Sequence, residues 1–522
     1  MPPLHGQLDD EKGRAAVSSR TSSFSPRRSL RPLAVSVTAI FALSSSTAWA
    51  VPPAVTNCSD SGPGSLRYAI DPANGAVSGD TIDFSTLNDP GCAASGITLT
   101  TGAIVISQQK LTIKGNGQRG IQIGQHAPNS RVITHTYPGA TGHLYFQDTK
   151  VNNGQITGTG QVNGGCIMTT GSLTLNNVEI YACSATTTGL STDVPKPHAS
   201  GGGVYAAAGL TISGHSLLDQ NTVTASNSGV PARGGCAETL GTFDMSDSIV
   251  AKCYAAGSAG FARGGALELR GGVTITRSVI AKNSSTAAIG GVDIASLDPD
   301  AVTAVISNST IAYNHANGLI GGLYSIAGHV SINNSTIVLN TAGNDTYTFN
   351  TKTYYAAPGV EVTSYHSTAL SLQSTIIANN SIVSGAQEDL STGVPYGSGT
   401  TITASNNLVR AYKTDVTLPS GQGNLPQGTC PMLGQGRNNG GNTYTLAPQS
   451  GSPVIDKGNN AANDPHTGVP AVYDQRGGPT PPPIAPPPDG YPRVSGPSAD
   501  IGAHEVQKSD IVFYGEFETG CE

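Results

Sequence analysis

The chain is 522 residues long, with 66 glycines, one tryptophan and only 12% charged residues, and Thr, Ser, Asn, Val and Ile make up much of the remainder. Such a composition favours strands and turns over helices, and over this length it points to an elongated repeat with one continuous core rather than several ordinary domains. Acidic residues outnumber basic ones by 34 to 27, which argues against nucleic acid and anionic membrane surfaces as partners.

Residues 1–50 read as an export signal with a long basic lead. Arg27, Arg28 and Arg31 precede the apolar run Leu33 to Leu43, and Ala48-Trp49-Ala50 forms a small-x-small cleavage site. The alternative is a short membrane anchor, but the run falls well below the ~20 residues needed to span a bilayer, and no other segment is long enough. Cleavage after Ala50 removes six basic and three acidic residues, leaving 21 against 31. All eight cysteines (Cys58, Cys92, Cys166, Cys183, Cys236, Cys253, Cys430 and Cys521) follow that point. An even count in an exported chain implies disulfides; zinc is the alternative, without Cys-x-x-Cys or paired-histidine spacing to support it.

An N-terminal cap is expected over 51–100. It holds Gly64-Ser65-Leu66-Arg67-Tyr68-Ala69-Ile70 and Gly79-Asp80-Thr81-Ile82-Asp83-Phe84. This segment resembles the CSLREA-like opening of bacterial surface β-helix proteins, with Cys58 upstream and Tyr68 in place of the acidic residue. Further on, Gly115-Asn116-Gly117-Gln118-Arg119-Gly120 matches a dinucleotide fingerprint in letters only. A strand pattern follows it instead of a helix, so it reads as a turn.

From 101 to 410 one template recurs: apolar, x, apolar, two residues, a small polar residue, x, apolar, two residues, Asn. It fits Val273/Ile275/Ser278/Ile280/Asn283, Ala304/Ile306/Ser309/Ile311/Asn314, Val330/Ile332/Ser335/Ile337/Asn340 and Leu370/Leu372/Thr375/Ile377/Asn380. Earlier copies end on Gly154, Cys183, Gln220 and Cys253, the third running Leu210/Ile212/His215/Leu217/Gln220. Glycine pairs precede most copies: Gly164-Gly165, Gly202-Gly203, Gly234-Gly235, Gly264-Gly265, Gly290-Gly291 and Gly321-Gly322, with Pro358-Gly359 in the seventh place. Each coil therefore reads as a glycine turn, strand, loop, strand and Asn turn, with alternate apolar residues inward. The fold class that follows is all-β, a single-stranded right-handed parallel β-helix of pectate-lyase-like architecture with capped ends. Loops such as 184–200 and 341–357 should protrude on one side.

Equivalent positions stack about 4.8 Å apart, so Asn283, Asn314, Asn340 and Asn380 form a hydrogen-bonding column. Cys183 and Cys253 share that column two coils apart, too far to bridge. Cys166 and Cys236 each follow a glycine pair 17 residues before the column cysteine of their own coil. The pairs expected are thus Cys166–Cys183 and Cys236–Cys253, and by elimination Cys58–Cys92 and Cys430–Cys521.

The C-terminal part, 411–506 with a tail over 507–522, carries Asn438-Asn439-Gly440-Gly441, Ser452-Pro453-Val454-Ile455-Asp456-Lys457-Gly458-Asn459, Asp474-Gln475-Arg476-Gly477 and Asp500-Ile501-Gly502-Ala503-His504-Glu505. In this order the stretches resemble the choice-of-anchor Q region of secreted proteins, His504 replacing the usual aromatic. The tail, with Phe513 and Phe517-Glu518, resembles that of secreted proteins from some Gram-negative bacteria. The resemblance implies export and extracellular or outer-membrane surface residence, and no particular reaction. Asp456, Asn459, Asn460, Asn463 and Asp464 offer oxygen ligands for calcium, at a spacing that matches no standard loop. The proline-rich stretch 477–498 reads as a stiff excursion.

For chemistry, Glu238 and Glu268 each stand three residues past a glycine pair, flanked by Arg233 and Arg263. Stacked one rung apart, the carboxyls would perturb each other and approach the separation used in glycoside cleavage, about 5–9.5 Å. The competing reading is a surface salt-bridge ladder. Asp293 and Glu361 count two past their turns, which places them outside that column. His215 is expected buried at the small inward position, and His315 and His366 isolated in turns. The sequence thus leads to an adhesin-like binder of a glycan or cell surface, with a carbohydrate-active enzyme (polysaccharide lyase or glycoside hydrolase) as the alternative.

Overall fold

The computed structural model describes residues 54–507 and Asp510, apart from 88–89, 118–119, 259–260, 297, 299–300, 344–345, 350–351, 356, 364–367, 394–399, 414–415, 464–467 and 479–488. The export segment, His366, Asp464, Cys521 and the tail beyond Asp510 lie outside the described residues.

One coil shows the plan. Ile167–Thr169 belongs to sheet I, Ser172–Asn176 to sheet II and Glu179–Tyr181 to sheet III; after the column turn, Ser184–Thr187 adds to sheet IV and His198–Ser200 to sheet V. Equivalent strands of successive coils pair in parallel, so that Leu173 stacks on Leu144 and beneath Leu210. The molecule is a right-handed parallel β-helix. Among the described residues sheets I, II and III hold ten, eleven and eleven strands and enclose one apolar core running from Val55 to Val416. Sheets IV and V form a side arm on the loops the sequence leaves variable, with a small core of its own around Ala199, Val223, Ala232 and Ala262. A further hairpin, Thr346–Phe349 with Lys352–Tyr355, is antiparallel.

Tight corners explain the residue choices. Non-glycine residues in the left-handed region, among them Lys252, Lys282 and Tyr313 (φ 53°, 59° and 59°), stand immediately before the buried column. The column residue then meets these corners with side-chain hydrogen bonds. Gly164, Gly201, Gly234 and Gly264 have φ between 58° and 68°, where a Cβ is strained. Gly291 is needed for a different reason: a Cβ there would lie 2.2 Å from the Gly322 carbonyl of the next coil.

Two alignments are corrected. Gly214, at φ 63°, adds one residue, so Leu218 rather than Leu217 pairs with Ile180. Ser216 rather than His215 fills the buried inward position, and Asn221 rather than Gln220 stands in the column, accepting from the Cys183 N–H at 3.0 Å. His215 is instead half-buried, with its Nδ1 3.2 Å from the Asp247 carbonyl. Second, Gly290-Gly291 sits one residue further along its coil than Gly264-Gly265, since Ala266 N–H donates to the Gly291 carbonyl and Leu267 pairs with Val292. Glu268 therefore pairs with Asp293, Asp293 with Tyr324 and Tyr324 with Glu361. Asp293 and Glu361 belong to the acidic column after all.

Disulfides join Cys58 to Cys92, Cys166 to Cys183 and Cys236 to Cys253, the last two closing single coils. Cys430 is also disulfide-bonded, while its expected partner Cys521 lies outside the described residues. At the N-terminus the helix Leu66–Ile70, capped by Ser65, buries Leu66, Ala69 and Ile70 in the same core as Ile82 and Ile97. The first rung of sheet II, Thr81–Asp83, lies within this segment.

The C-terminal region turns back over the outer face of sheet III. Leu433, Leu446, Val454 and Ile501 pack on Ala312, Val338, Ile376 and Leu408. Its motif residues are structural: the buried Arg476 donates to Asp474 at 2.9 Å, pairs with Asp510 at 3.0 Å and stacks on the Tyr491 ring at 4.1 Å. Burying a guanidinium is tolerable only with such a full set of partners.

Candidate functional site

Alternation along sheet V decides which side chains face the body of the helix. Ala199, Ala232 and Ala262 turn into the arm's core, so His198, Ser200, Arg233 and Arg263 point the other way. Facing them is the outward side of sheet I, because Leu267, Leu269, Val292 and Ile294 are taken by the main core. Arm and body thus form a groove whose floor is the column Tyr205, Glu238, Glu268, Asp293, Tyr324, Glu361, in register rung by rung.

The carboxyl groups of this floor are buried. Glu238, Glu268 and Asp293 are 1%, 0% and 0% exposed, so the expected surface ladder is corrected to a buried one. Arg270 bridges the two glutamates, reaching Glu238 Oε1 from Nε at 3.3 Å and Glu268 Oε1 from Nη2 at 2.7 Å. Arg263 crosses from the arm to Asp293 with Nε–Oδ2 at 2.6 Å and Nη2–Oδ1 at 3.3 Å, and its guanidinium lies 5.7 Å from the Tyr324 ring centre. The two-pronged Arg263–Asp293 contact fixes the arm against the body.

Electrostatics follow from burial. Desolvation, then the neighbouring Glu268 charge, pushes Glu238 above the usual carboxyl range. Asp293 is pushed well above it, by desolvation first, against the pull of Arg263, with Glu268 adding to the rise through its charge and a hydrogen bond. Glu238 and Asp293 are thereby shifted towards their protonated forms. Arg270 engages the Oε1 of each glutamate and leaves the Oε2 atoms out of its contacts. His198 is pushed down to about 4 by burial and by the Arg233 and Arg270 charges, so it is neutral at physiological pH.

Of the residues singled out in the sequence, Glu238, Glu268 and Arg263 are brought together, and Arg233 stands close enough to depress His198 and Glu238. Arg270, Asp293, Tyr205, Tyr324 and His198 are additional. Arg270 was findable: it lies two residues past Glu268, and the strand period of two puts both on one face. His315 lies elsewhere, bonded to Thr341 and Asn317. In the C-terminal region Asp456 Oδ1 accepts from Ser498 N–H, Asn459 Oδ1 from Ala461 N–H and Asn460 Oδ1 from Ala499 N–H. Among the described residues no group of three or more His, Cys, Asp and Glu is arranged to hold a metal ion, and no helix is long and apolar enough to cross a membrane.

No family model, curated protein or solved structure matches the chain. The chemistry of the groove is therefore read from its own residues.

Proposed function

We propose that this is an exported, adhesin-like glycan-binding protein, secreted or held at the outer-membrane surface, with the groove between arm and body as its binding face. The observation that carries the reading is the arrangement of the floor. Tyr205 and Tyr324, both half-buried, stand four rungs apart, about 19 Å, with Arg263 and Arg270 along the line between them. Aromatic rings offer faces to sugar rings, and arginines offer hydrogen-bond donors to hydroxyls. The buried ion pairs beneath keep that surface rigid, which lowers the entropy cost of binding an extended chain. The disulfides, three of them between described residues, suit an oxidising compartment. The resemblance of the opening segment to CSLREA-like segments and of residues 411–506 to choice-of-anchor Q regions supports surface residence.

The test is a glycan array and cell-binding assay with the chain from residue 51 onward. Selective binding should appear, and replacing Tyr205 and Tyr324 together by alanine should weaken it roughly tenfold or more. If the intact chain captures neither glycans nor cells, the proposal fails.

A second reading is favoured by the raised Glu238 and Asp293: a carboxyl held towards its protonated form beside a second carboxyl is the kind of pairing used in glycoside cleavage. It predicts reducing ends or unsaturated products from a polysaccharide, lost in Glu268→Gln. A panel of plant and bacterial polysaccharides left intact would remove this reading.

A further inference from the structure

On the outer face of sheet III, Leu217, Ile249 and Val279 continue rung by rung into Thr310, Thr336 and Ile376. From Thr310 onward the C-terminal region covers this row. Thr310 Oγ1 donates to Gln475 Oε1, Ala503 N–H donates to Thr336 Oγ1 at 2.9 Å, and Val454 and Ile501 share a core with Ile376. On the earlier rungs the cover stops at the 436–446 segment, and Leu217, Ile249 and Val279 line a cleft of about 500 Å³. Leu217 and Ile249 remain partly exposed.

The far end of the described chain lies at the wall of this cleft. Asp510 and the Asn439 carbonyl both bond to Arg476 Nη1, at 3.0 and 3.2 Å, and Asn438, next to Asn439, lines the cleft. Asp510 Oδ2 also meets His504 Nε2 at 3.3 Å, and the His504 Nδ1 lies 2.9 Å from Thr445 Oγ1. Tyr444 and Leu446, on either side of Thr445, belong to the same wall. Beyond Asp510 the sequence runs Ile511-Val512-Phe513-Tyr514-Gly515-Glu516-Phe517, outside the described residues.

Reach and pattern both suit this run to the open floor. Three extended residues span about 10 Å, enough to bring Ile511 and Phe513 from the wall over the cleft. In an extended segment these two side chains point the same way about 7 Å apart, against a floor of three rungs that is about 10 Å long. An apolar run and an apolar floor are each costly in water. A tethered segment meets the floor at an effective concentration of about millimolar, which favours it over a free partner. Cys430, just before Leu433 of the cover, is disulfide-bonded, and the expected pairing with Cys521 would fasten the far end of the same segment to the same face.

We propose that residues 511–517 of this chain dock in the cleft, with Ile511 and Phe513 seated on Leu217, Ile249 and Val279 beside the Tyr444 wall. The C-terminal cover then extends over the earlier rungs of sheet III. This contact is separate from the groove and does not depend on the reading given to it.

Photoreactive benzoylphenylalanine in place of Phe513, in the chain from residue 51 onward, tests the docking by peptide mapping after irradiation. Cross-links within one molecule to peptides holding Ile249, Val279 or Tyr444 are expected. In the unmodified chain chymotrypsin should cut slowly after Phe513 and Tyr514. Ile249→Ser should raise that rate roughly tenfold, while cutting elsewhere in the chain stays the same and shows that the coils are folded. Cross-links confined to other surfaces, or formed only between molecules and so giving the cleft to a second copy, would overturn the proposal. A cutting rate that Ile249→Ser leaves unchanged would do the same.

Discussion

Each asparagine of the column links its own coil to two others. Asn283 donates from its backbone N and from Nδ2 to Asn314 Oδ1, both at 3.0 Å, and Asn314 repeats this onto Asn340 and Asn340 onto Asn380. Each Nδ2 also donates to a carbonyl of the coil before, such as Asn314 to Ile280 at 3.0 Å. The bonds onto the column's side-chain oxygens therefore run one way, and the run ends on Asp389, an acceptor whose Oδ1 takes both Asn380 donors and whose Oδ2 takes the Ala411 N–H. Asn314→Ala would strand the Asn283 N–H and the Ile280 carbonyl in a dry interior, at about 1–3 kcal/mol per group. A drop of roughly 3 kcal/mol in urea unfolding is expected, and a loss within experimental error would show that the column is dispensable. The asparagines were legible because one residue type recurs at one template position. Asp389 was not, because it follows Asn380 by nine residues instead of a full coil, and the template has no place for so short a return. His215 and Gln220 were misplaced by the one added residue at Gly214, a slip that leaves the local apolar pattern almost unchanged.

At the level of the element, coil closure is what the cysteines contribute. Cys236 and Cys253 are 17 residues apart, and cross-linking a loop of that size removes chain entropy from the unfolded state worth about 3 kcal/mol. Replacing both by alanine should lower stability by about that amount in urea unfolding, and reductant should then affect the variant less than the parent chain. If the variant and the parent unfold at the same midpoint, closure of this coil is not a stabilising device. The pairing was legible since two cysteine positions repeat with the coil. The groove was legible only in part. Glu238 and Glu268 follow glycine pairs at equal spacing, whereas Asp293 follows a pair that serves close backbone approach at Gly291 instead of a left-handed corner, and so sits one residue out of step. The arm was harder still, because sheets IV and V are built from loops whose lengths differ from coil to coil.

Across the whole molecule, buried carboxyls and buried histidines tilt stability in opposite directions with pH. Burial pushes Glu505 up to about 8 and Asp389 up to about 7, and raises Glu238 and Asp293 as well. The folded chain holds these protons after the unfolded chain has released them, so this contribution to stability falls as pH rises towards the folded values. His135, His143, His198 and His504 are lowered from 6.5, each chiefly by desolvation. There the unfolded chain takes up protons first as pH falls, so stability from these groups grows with pH until about 6.5. Below that point the two sets oppose each other; above it the histidines are neutral in both states and only the carboxyls act. Stability should therefore decline from about pH 6.5 to about pH 8, read as the urea midpoint across that window. Glu505→Gln should flatten the upper part of the decline, since an amide releases no proton there. A midpoint that stays flat or rises over the same window would mean that these carboxyls hold their protons no more tightly in the folded chain than in water.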